Sequence, residues 1–464
     1  MNKTEAATLS FLCAALHGQT PADPGLEPEE WQKLLRLSER HKLLPLILDA
    51  AWSLPSCRAA LSRHSRPSPE QNSKISGKPA PSPAEAHGAH PSEVSAFPAG
   101  HSERSEAEPK NPPVQPDAWR TLVFDQVGRQ AIQENEFLNL ILALRERGLE
   151  PLVVKGAVCR KLYPKPLLRP SVDDDLLIPP EQAAAFHAAL LELGLTEDHG
   201  ATDPNALWEL SYHKPDSPLY IELHTCLFDP ESPIFSGFNG LFADAFDAPD
   251  REQVQDVELL TPEPNLHLLF LILHAYKHFL FSGFGLRIIS DVCLFSRAYA
   301  ARIDFEKLLQ ICTELRCHRF TAAVYRIGEK YLGTPAPAAF AALEVDEGPL
   351  LTDVLESGLH GADIDRLHSA NITLTTVSDA RLGSKNQTSG LRASLFPSAQ
   401  KLSGSYPFLK KHPWMVPAAW THRITGYLLH RGKYGKQSPT ASLRIGRERV
   451  ALLEQYDIID QSKS

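Results

Sequence analysis

The sequence predicts an α+β fold: a small mixed β-sheet embedded in N-terminal and C-terminal helical regions. Three observations carry that expectation. Short strand-like runs cluster between Val153 and Leu260. Stretches with apolar residues at helical spacing flank them on both sides. At 464 residues, 43% hydrophobic and 22% charged, the composition is that of a globular chain long enough to bury a sizeable core.

The elements follow in order. Trp31, Leu34, Leu35, Leu37 and then Leu43, Leu44, Leu46 and Ile47 recur at helical spacing, with Pro28 near a helix start. Residues 5–52 therefore read as helical, inside an N-terminal region 1–61. Residues 62–116 are dense in Pro, Ser, Ala, Glu and His and nearly free of large apolar side chains. Such a stretch buries too little surface to offset its ordering entropy, so it reads as a disordered insertion without chemistry of its own. Order is expected to return with a long helical pattern from Trp119 to Leu144, ending at Gly148. Val153–Ile178 then reads as an apolar strand, a Lys-Gly turn, a helix and a second strand. Pro180 opens an Ala-rich helix, Glu181 to Leu193, closed by Gly194. Leu207–His213 and Leu219–Phe228 flank Pro215-Asp216-Ser217-Pro218 as a hairpin, and Val257–Leu260 is a further strand. These elements define a core at 117–262 with its leading helix.

A helical region at 263–360 follows, with strong periodicity over Leu266–Phe281, Leu286–Ala298 and Phe305–Tyr331. Residues 361–390 read as a polar loop and 391–464 as a basic helical region. The net charge of −9 does not mark the whole molecule as a nucleic-acid binder. Residues 401–464 nevertheless hold eleven Lys/Arg against four Asp/Glu, which reads as a solvated surface. Within it, Trp414 and Trp420 read as core packing rather than an RNA-stacking surface. The seven cysteines form no Cys-x-x-Cys pair and suit a reducing cytoplasm. The N-terminus lacks signal-peptide features, and the most apolar run, Leu266–Leu273, is too short to span a bilayer. A cytoplasmic location without a membrane span is expected.

The chemistry concentrates in VVKGAVCRKLYPKPLLRPSVDDDLLI, Val153 to Ile178. Alternation along a strand points Asp173 and Asp175 the same way and Asp174 the other way. Paired carboxylates of that kind, with Glu222 in Tyr220-Ile221-Glu222-Leu223-His224, are oxygen donors for Mg²⁺. Glu222 either completes a metal site or takes a proton from an attacking hydroxyl. Gly156, between strand and helix, lets backbone amides approach a phosphate, and Lys155 either neutralises that phosphate or points into solvent. His267, His274, Lys277 and His278 lie near one face of a helix; the His-x-x-x-His at 274 and 278 lacks the glutamate of a zinc protease because Ala275 occupies its place. Arg287 and Asp291, four apart, are expected to form a helix-surface ion pair, the alternative being that Arg287 lines the cleft. Phosphate-binding loops of the Gly-x-x-x-x-Gly-Lys-Ser/Thr kind, dinucleotide fingerprints and Gly-x-Ser-x-Gly elbows are missing from the sequence.

The order Gly-turn, helix, Asp-x-Asp strand and carboxylate-bearing hairpin resembles the uncharacterised nucleotidyltransferase family of the polymerase-beta superfold. So do Leu35–Leu46 (LRLSERHKLLPL), Pro262–Phe279 with Gly285–Asp291, and Leu395–Ser398 with Tyr406–Trp414. The resemblance implies a bacterial enzyme that moves a nucleoside monophosphate from a nucleoside triphosphate to a hydroxyl-type acceptor, releasing pyrophosphate. The acceptor is a small molecule, a sugar, a protein or an RNA end. It further implies Mg²⁺ or Mn²⁺ on Asp173, Asp175 and Glu222, and nucleotide binding by Lys155, Gly156, Ala157, Lys277 and His278. Three residues depart from the pattern. Ala157 lacks the hydroxyl often found there, Val172 replaces a small residue, and Asp174 stands where an apolar residue is usual. These departures imply the alternative, a weakened, transferase-like scaffold that binds a nucleotide or a partner protein.

Overall fold

A computed structural model describes residues 1–62, 116–198, 208–281, 283–357, 406, 408–429 and 448–459. Nearly all of the 62–116 insertion and the whole 361–390 loop lie outside the described residues. The described residues fall into two compact units, one built from those up to 357 apart from 280 and 281, the other containing those from 406 on.

The first unit opens with four helices, α1 (Lys3–His17), α2 (Pro28–Arg40), α3 (Leu44–Ala51) and α4 (Pro55–Ser62). Asn2 and Glu5 form a reciprocal capping box on α1, and Gly18 ends it in the left-handed conformation. Pro28 sits in the first turn of α2, where its missing N–H costs nothing. The α2 residues Trp31, Leu34 and Leu35 are fully buried; Trp31 stacks on Phe11 of α1 at 5.5 Å. The long helix α5 (Pro116–Arg145) is tied to this group by Trp119, whose indole N–H donates to Gln32 Oε1 at 3.1 Å.

Next come β1 (Leu152–Val154), the short α6 (Gly156–Arg160), β2 (Asp174–Leu177), α7 (Ala183–Glu192), β3 (Thr196–Glu197), β4 (Glu209–His213) and β5 (Tyr220–His224). The sheet order is β1-β2-β5-β4-β3; β2 and β5 run parallel and every other pairing is antiparallel. This is a mixed sheet within an α+β fold. Every residue of β1, β2 and β5 is buried, so these strands lack the simple apolar-polar alternation of a half-exposed sheet. A separate ribbon pairs β6 (Asp250–Val254) with β7 (Val257–Thr261).

Helices α8 (Pro264–Phe281, apart from its last two residues), α9 (Leu286–Ala298), α10 (Phe305–Glu314), α11 (His318–Leu332), α12 (Ala338–Ala341) and α13 (Gly348–Ser357) complete the unit. The periodicity of 305–331 belongs to two helices, because Arg316 turns the chain at φ +58° between α10 and α11. The expected helix 181–193 is a 3-10 turn, Pro180–Gln182, followed by α7. No helix among the described residues is long and apolar enough to cross a membrane. In the second unit, Leu409, Val416 and Ala419 form a small core against which Trp420 packs; Trp414 is 75% exposed and is not core.

Candidate active site

The site grows from one register. On the parallel pair β2–β5, Asp175 lies beside Glu222, and Leu177 beside His224. A strand repeats its faces every two residues, so Asp175, Glu222 and His224 share one face. Ligand atoms of these three side chains all lie within 4.8 Å of one another, and all three residues are buried. Asp173 stands outside that tight group, just before β2 and half-buried, yet close enough to act electrostatically on Glu222 and Lys155.

Two cations meet the carboxylates. Lys155 Nζ is 3.0 Å from Asp175 Oδ1, and His224 Nε2 is 3.3 Å from the same oxygen and 3.7 Å from Glu222 Oε2. Burial alone would lower the Lys155 ammonium, but Asp175, Asp173 and Glu222 outweigh it and hold its pKa above the ordinary lysine value. Burial likewise opposes the His224 imidazolium, while Asp175 and Glu222 raise it to about 10. Burial and Asp173 push Glu222 up; His224 and Lys155 prevail and hold it below the ordinary glutamate range. Asp175 Oδ2 and Glu222 Oε1 remain buried without a hydrogen-bond partner. Two orphaned carboxylate oxygens on adjacent strands fit the demand of a divalent cation for oxygen donors.

The Lys-Gly turn is built to hold Lys155 inward rather than toward solvent. Lys155 has φ +60° and ψ −130°, a conformation rare for any residue but glycine. Its N–H donates to His267 Nε2 at 3.2 Å, and Thr261 Oγ1 lies 2.6 Å from His267 Nδ1. That network assigns the neutral tautomer with Nδ1 protonated; burial pushes His267 down to about 3. His267 is therefore a support for the turn. Gly156 follows at φ +37°, and a Cβ there would overlap the Asp174 carboxylate. Val158 and Cys159 N–H both point to the Lys155 carbonyl, at 3.0 and 3.2 Å, leaving the Gly156 and Ala157 amides at the open end of α6.

Asp174 is fully buried on the opposite face, not at a strand edge. Gln133 Nε2 donates to it at 2.9 Å, and Arg160 Nη2 lies 3.6 Å away. Arg160 also binds Glu134 at 2.5 Å. Burial pushes Asp174 up to about 6 against the pull of Arg160 and Gln133. The departure from an apolar residue is thus matched by polar partners on α5 and α6. The expected Arg287–Asp291 surface pair does not form. Asp291 is buried and held by Arg169 at 2.9 and 2.6 Å and by Tyr163 at 2.8 Å, whereas Arg287 donates to the Pro170 carbonyl at 2.5 Å.

A half-buried rim surrounds the cluster. His274 Nε2 is 3.2 Å from Lys155 Nζ and 3.2 Å from His278 Nε2. Lys277 lies over the Trp208 ring at 5.9 Å, and that ring sits 5.9 Å from the His224 ring. Lys277 and His278 are therefore linked to the carboxylates through Trp208 and His274. Sequence reasoning gave no role to His224, Trp208 or Arg160, and it weighed His274 only as half of a His-x-x-x-His metal spacing with His278. Of the first three, only His224 carried a legible signal, its two-residue offset from Glu222.

Against this geometry, two comparisons are silent: no curated protein and no solved structure matches the chain. A third is informative. The family model described as "Uncharacterised nucleotidyltransferase" matches residues 89–333, which include both strands of the carboxylate pair, the Lys-Gly turn and the rim helix α8. The chain belongs to the uncharacterised nucleotidyltransferase family.

Proposed function

We propose that the protein moves a nucleoside monophosphate from a nucleoside triphosphate to a hydroxyl-type acceptor and releases pyrophosphate, with Mg²⁺ or Mn²⁺ as its ion. The observation that carries this reading is the register pair Asp175–Glu222, each with a buried oxygen that lacks a partner. These two side chains would hold the ion, with Asp173 contributing from the rim. When bound, the ion supplies Lewis-acid polarisation of the phosphoryl oxygens and makes the acceptor hydroxyl more acidic. Lys155 and the Gly156 and Ala157 amides neutralise and orient phosphate oxygens. Lys277 and His278 contact the nucleotide from the rim. The bond from the acceptor oxygen to the α-phosphorus forms as the bond to pyrophosphate breaks. The hydroxyl proton goes to a carboxylate, with Glu222 the candidate base through the oxygen that does not hold the ion. The separation of a nucleotide-transfer core at 117–262 from flanking helical regions, and a cytoplasmic setting for its seven free cysteines, belong to the same reading.

One observation favours the alternative, a non-catalytic scaffold. Lys155 and His224 already neutralise the buried carboxylates. A labelling experiment separates the two. The full chain is incubated with Mg²⁺, a cell extract and triphosphates labelled at either the α- or the γ-phosphate. Transfer predicts α-label on an acceptor and γ-label released as pyrophosphate. γ-Label on the acceptor would indicate a kinase, and no transfer of either label would support the scaffold.

A further inference from the structure

The cluster described above leaves two cations beside Asp173 unused. Lys42 lies in the turn after α2, at φ +56° and half-buried. Its neighbour His41 accepts a hydrogen bond from the Leu286 N–H at 3.3 Å, which ties that turn to the first residue of α9. The next α9 residue is Arg287, anchored to the Pro170 carbonyl at 2.5 Å in the loop that leads into Asp173. Three segments distant in sequence therefore meet at the outer side of the carboxylate site. Tyr163 and Arg169 occupy Asp291, so that carboxylate is not available to Arg287.

Neither cation is neutralised by a direct partner. Lys42 and Arg287 form no direct ion pair among the described residues, and Arg287 Nε is buried without an acceptor. The charged groups that act on Lys42 include Arg287, Glu39 and Asp173; Arg287 in turn faces Lys42, Arg169, Asp291 and Asp173, with the Tyr163 hydroxyl beside them. Burial first, and then Arg287, lower the Lys42 ammonium against the opposing pull of Glu39 and Asp173. Like charges brought together in a half-buried setting repel, and an anion between them removes the repulsion.

We infer that Lys42 and Arg287 seat the terminal phosphates of the nucleoside triphosphate, so that the N-terminal helices complete a site otherwise carried by the sheet. This inference rests on the nucleotide-transfer reading above. The direction is set by Asp173: a donor whose α-phosphate lies at Asp175 and Glu222 reaches past Asp173 toward the two cations. Arg287 presents a planar fork and Lys42 a point charge, a pairing that suits phosphate oxygens.

The test is calorimetric titration of the full chain with Mg²⁺ and each of ATP, GTP, CTP and UTP. The tightest binder, its monophosphate and inorganic tripolyphosphate are then carried through Lys42→Asn, Lys42→Arg, Arg287→Gln, Asp175→Asn and the exposed control Lys33→Asn. Asparagine tolerates the positive φ of position 42, so Lys42→Asn keeps the fold and decides the matter if Arg287→Gln fails to fold. The inference expects Lys42→Asn to weaken triphosphate and tripolyphosphate binding by about 10-fold, the scale of one charge-assisted contact, with monophosphate binding unchanged. Lys42→Arg is expected to restore most of the loss, and Lys33→Asn to change nothing. Undiminished triphosphate binding in Lys42→Asn, while Asp175→Asn loses it, overturns this inference alone. Equal loss of monophosphate and triphosphate in Lys42→Asn overturns it as well. No triphosphate binding by the unaltered chain removes the nucleotide-transfer reading and the inference with it.

Discussion

Gly156 and Asp174 account for each other. The glycine is required because its φ is +37° and because the carboxylate occupies the space a Cβ would need. Gly156→Ala is expected to destabilise the fold by about 2–4 kcal/mol, overpacking added to backbone strain, measured by denaturant unfolding. The sequence exposed the glycine, but it attributed the residue to phosphate approach alone. Asp174 in turn depends on Arg160 and Gln133. Arg160→Met leaves Asp174 and Glu134 buried without their cation and should cost about 3–5 kcal/mol in the same experiment. That compensation was illegible in the sequence, because Gln133 and Asp174 are 41 residues apart. By contrast, the face shared by Asp175 and Glu222 follows from strand parity once their register is known, and strand parity is legible in any alternating run.

Among the elements, α9 shows how a helix start depends on a distant residue. Gly285 provides no side-chain cap, and the first helical N–H is received by His41 from the N-terminal helices. His41→Ala removes that acceptor and leaves a cavity in a fully buried position, for an expected loss of about 1–3 kcal/mol on thermal or chemical unfolding. Because His41 also sets the Lys42 turn beside Arg287, the same variant should weaken triphosphate binding. Most helices were legible from their periodicity, and α5, α8 and α9 fall close to their expected bounds. Two short strands were not. The β6 sequence Asp-Arg-Glu-Gln-Val carries little apolar signal, and β3 is two residues long; their pairing partners decide them. The break between α10 and α11 was hidden because apolar spacing continues through a residue with positive φ.

At the scale of the whole molecule, buried titrating groups give stability a maximum near neutral pH. His41 and His267 are pushed down to about 4 and about 3, so they fold neutral while the unfolded chain, near 6.5, takes up protons first. Their contribution is complete above about 6.5 and falls as pH drops. Asp174, raised to about 6, opposes them with one proton between its unfolded value of 3.8 and 6. His224 has the other sign. Raised to about 10, its contribution is complete below about 6.5 and is lost as pH rises toward 10. With one net proton on each side, unfolding free energy should fall by about 1.4 kcal/mol per pH unit away from a maximum near pH 6.5. Denaturant titrations at pH 5, 6.5 and 8 check this; stability rising steadily from pH 5 to 8 would contradict the His224 assignment.

The α+β class and the family were legible because the strand, Gly-turn and carboxylate order is local. The closing of the site by Lys155, His224 and the rim of α8 was not, since those contacts join strands and helices that only the fold brings together. The central claim is that Asp175 and Glu222 form a cation site that works with a nucleotide. Its most direct test is titration of the full chain with Mn²⁺, with and without a nucleoside triphosphate, reading free Mn²⁺ by electron paramagnetic resonance. The account predicts Mn²⁺ binding that tightens with nucleotide and disappears in Asp175→Asn/Glu222→Gln while the variant stays folded. Binding that survives the double substitution, or a folded wild-type chain that binds no Mn²⁺ with any of the four nucleotides, would contradict it.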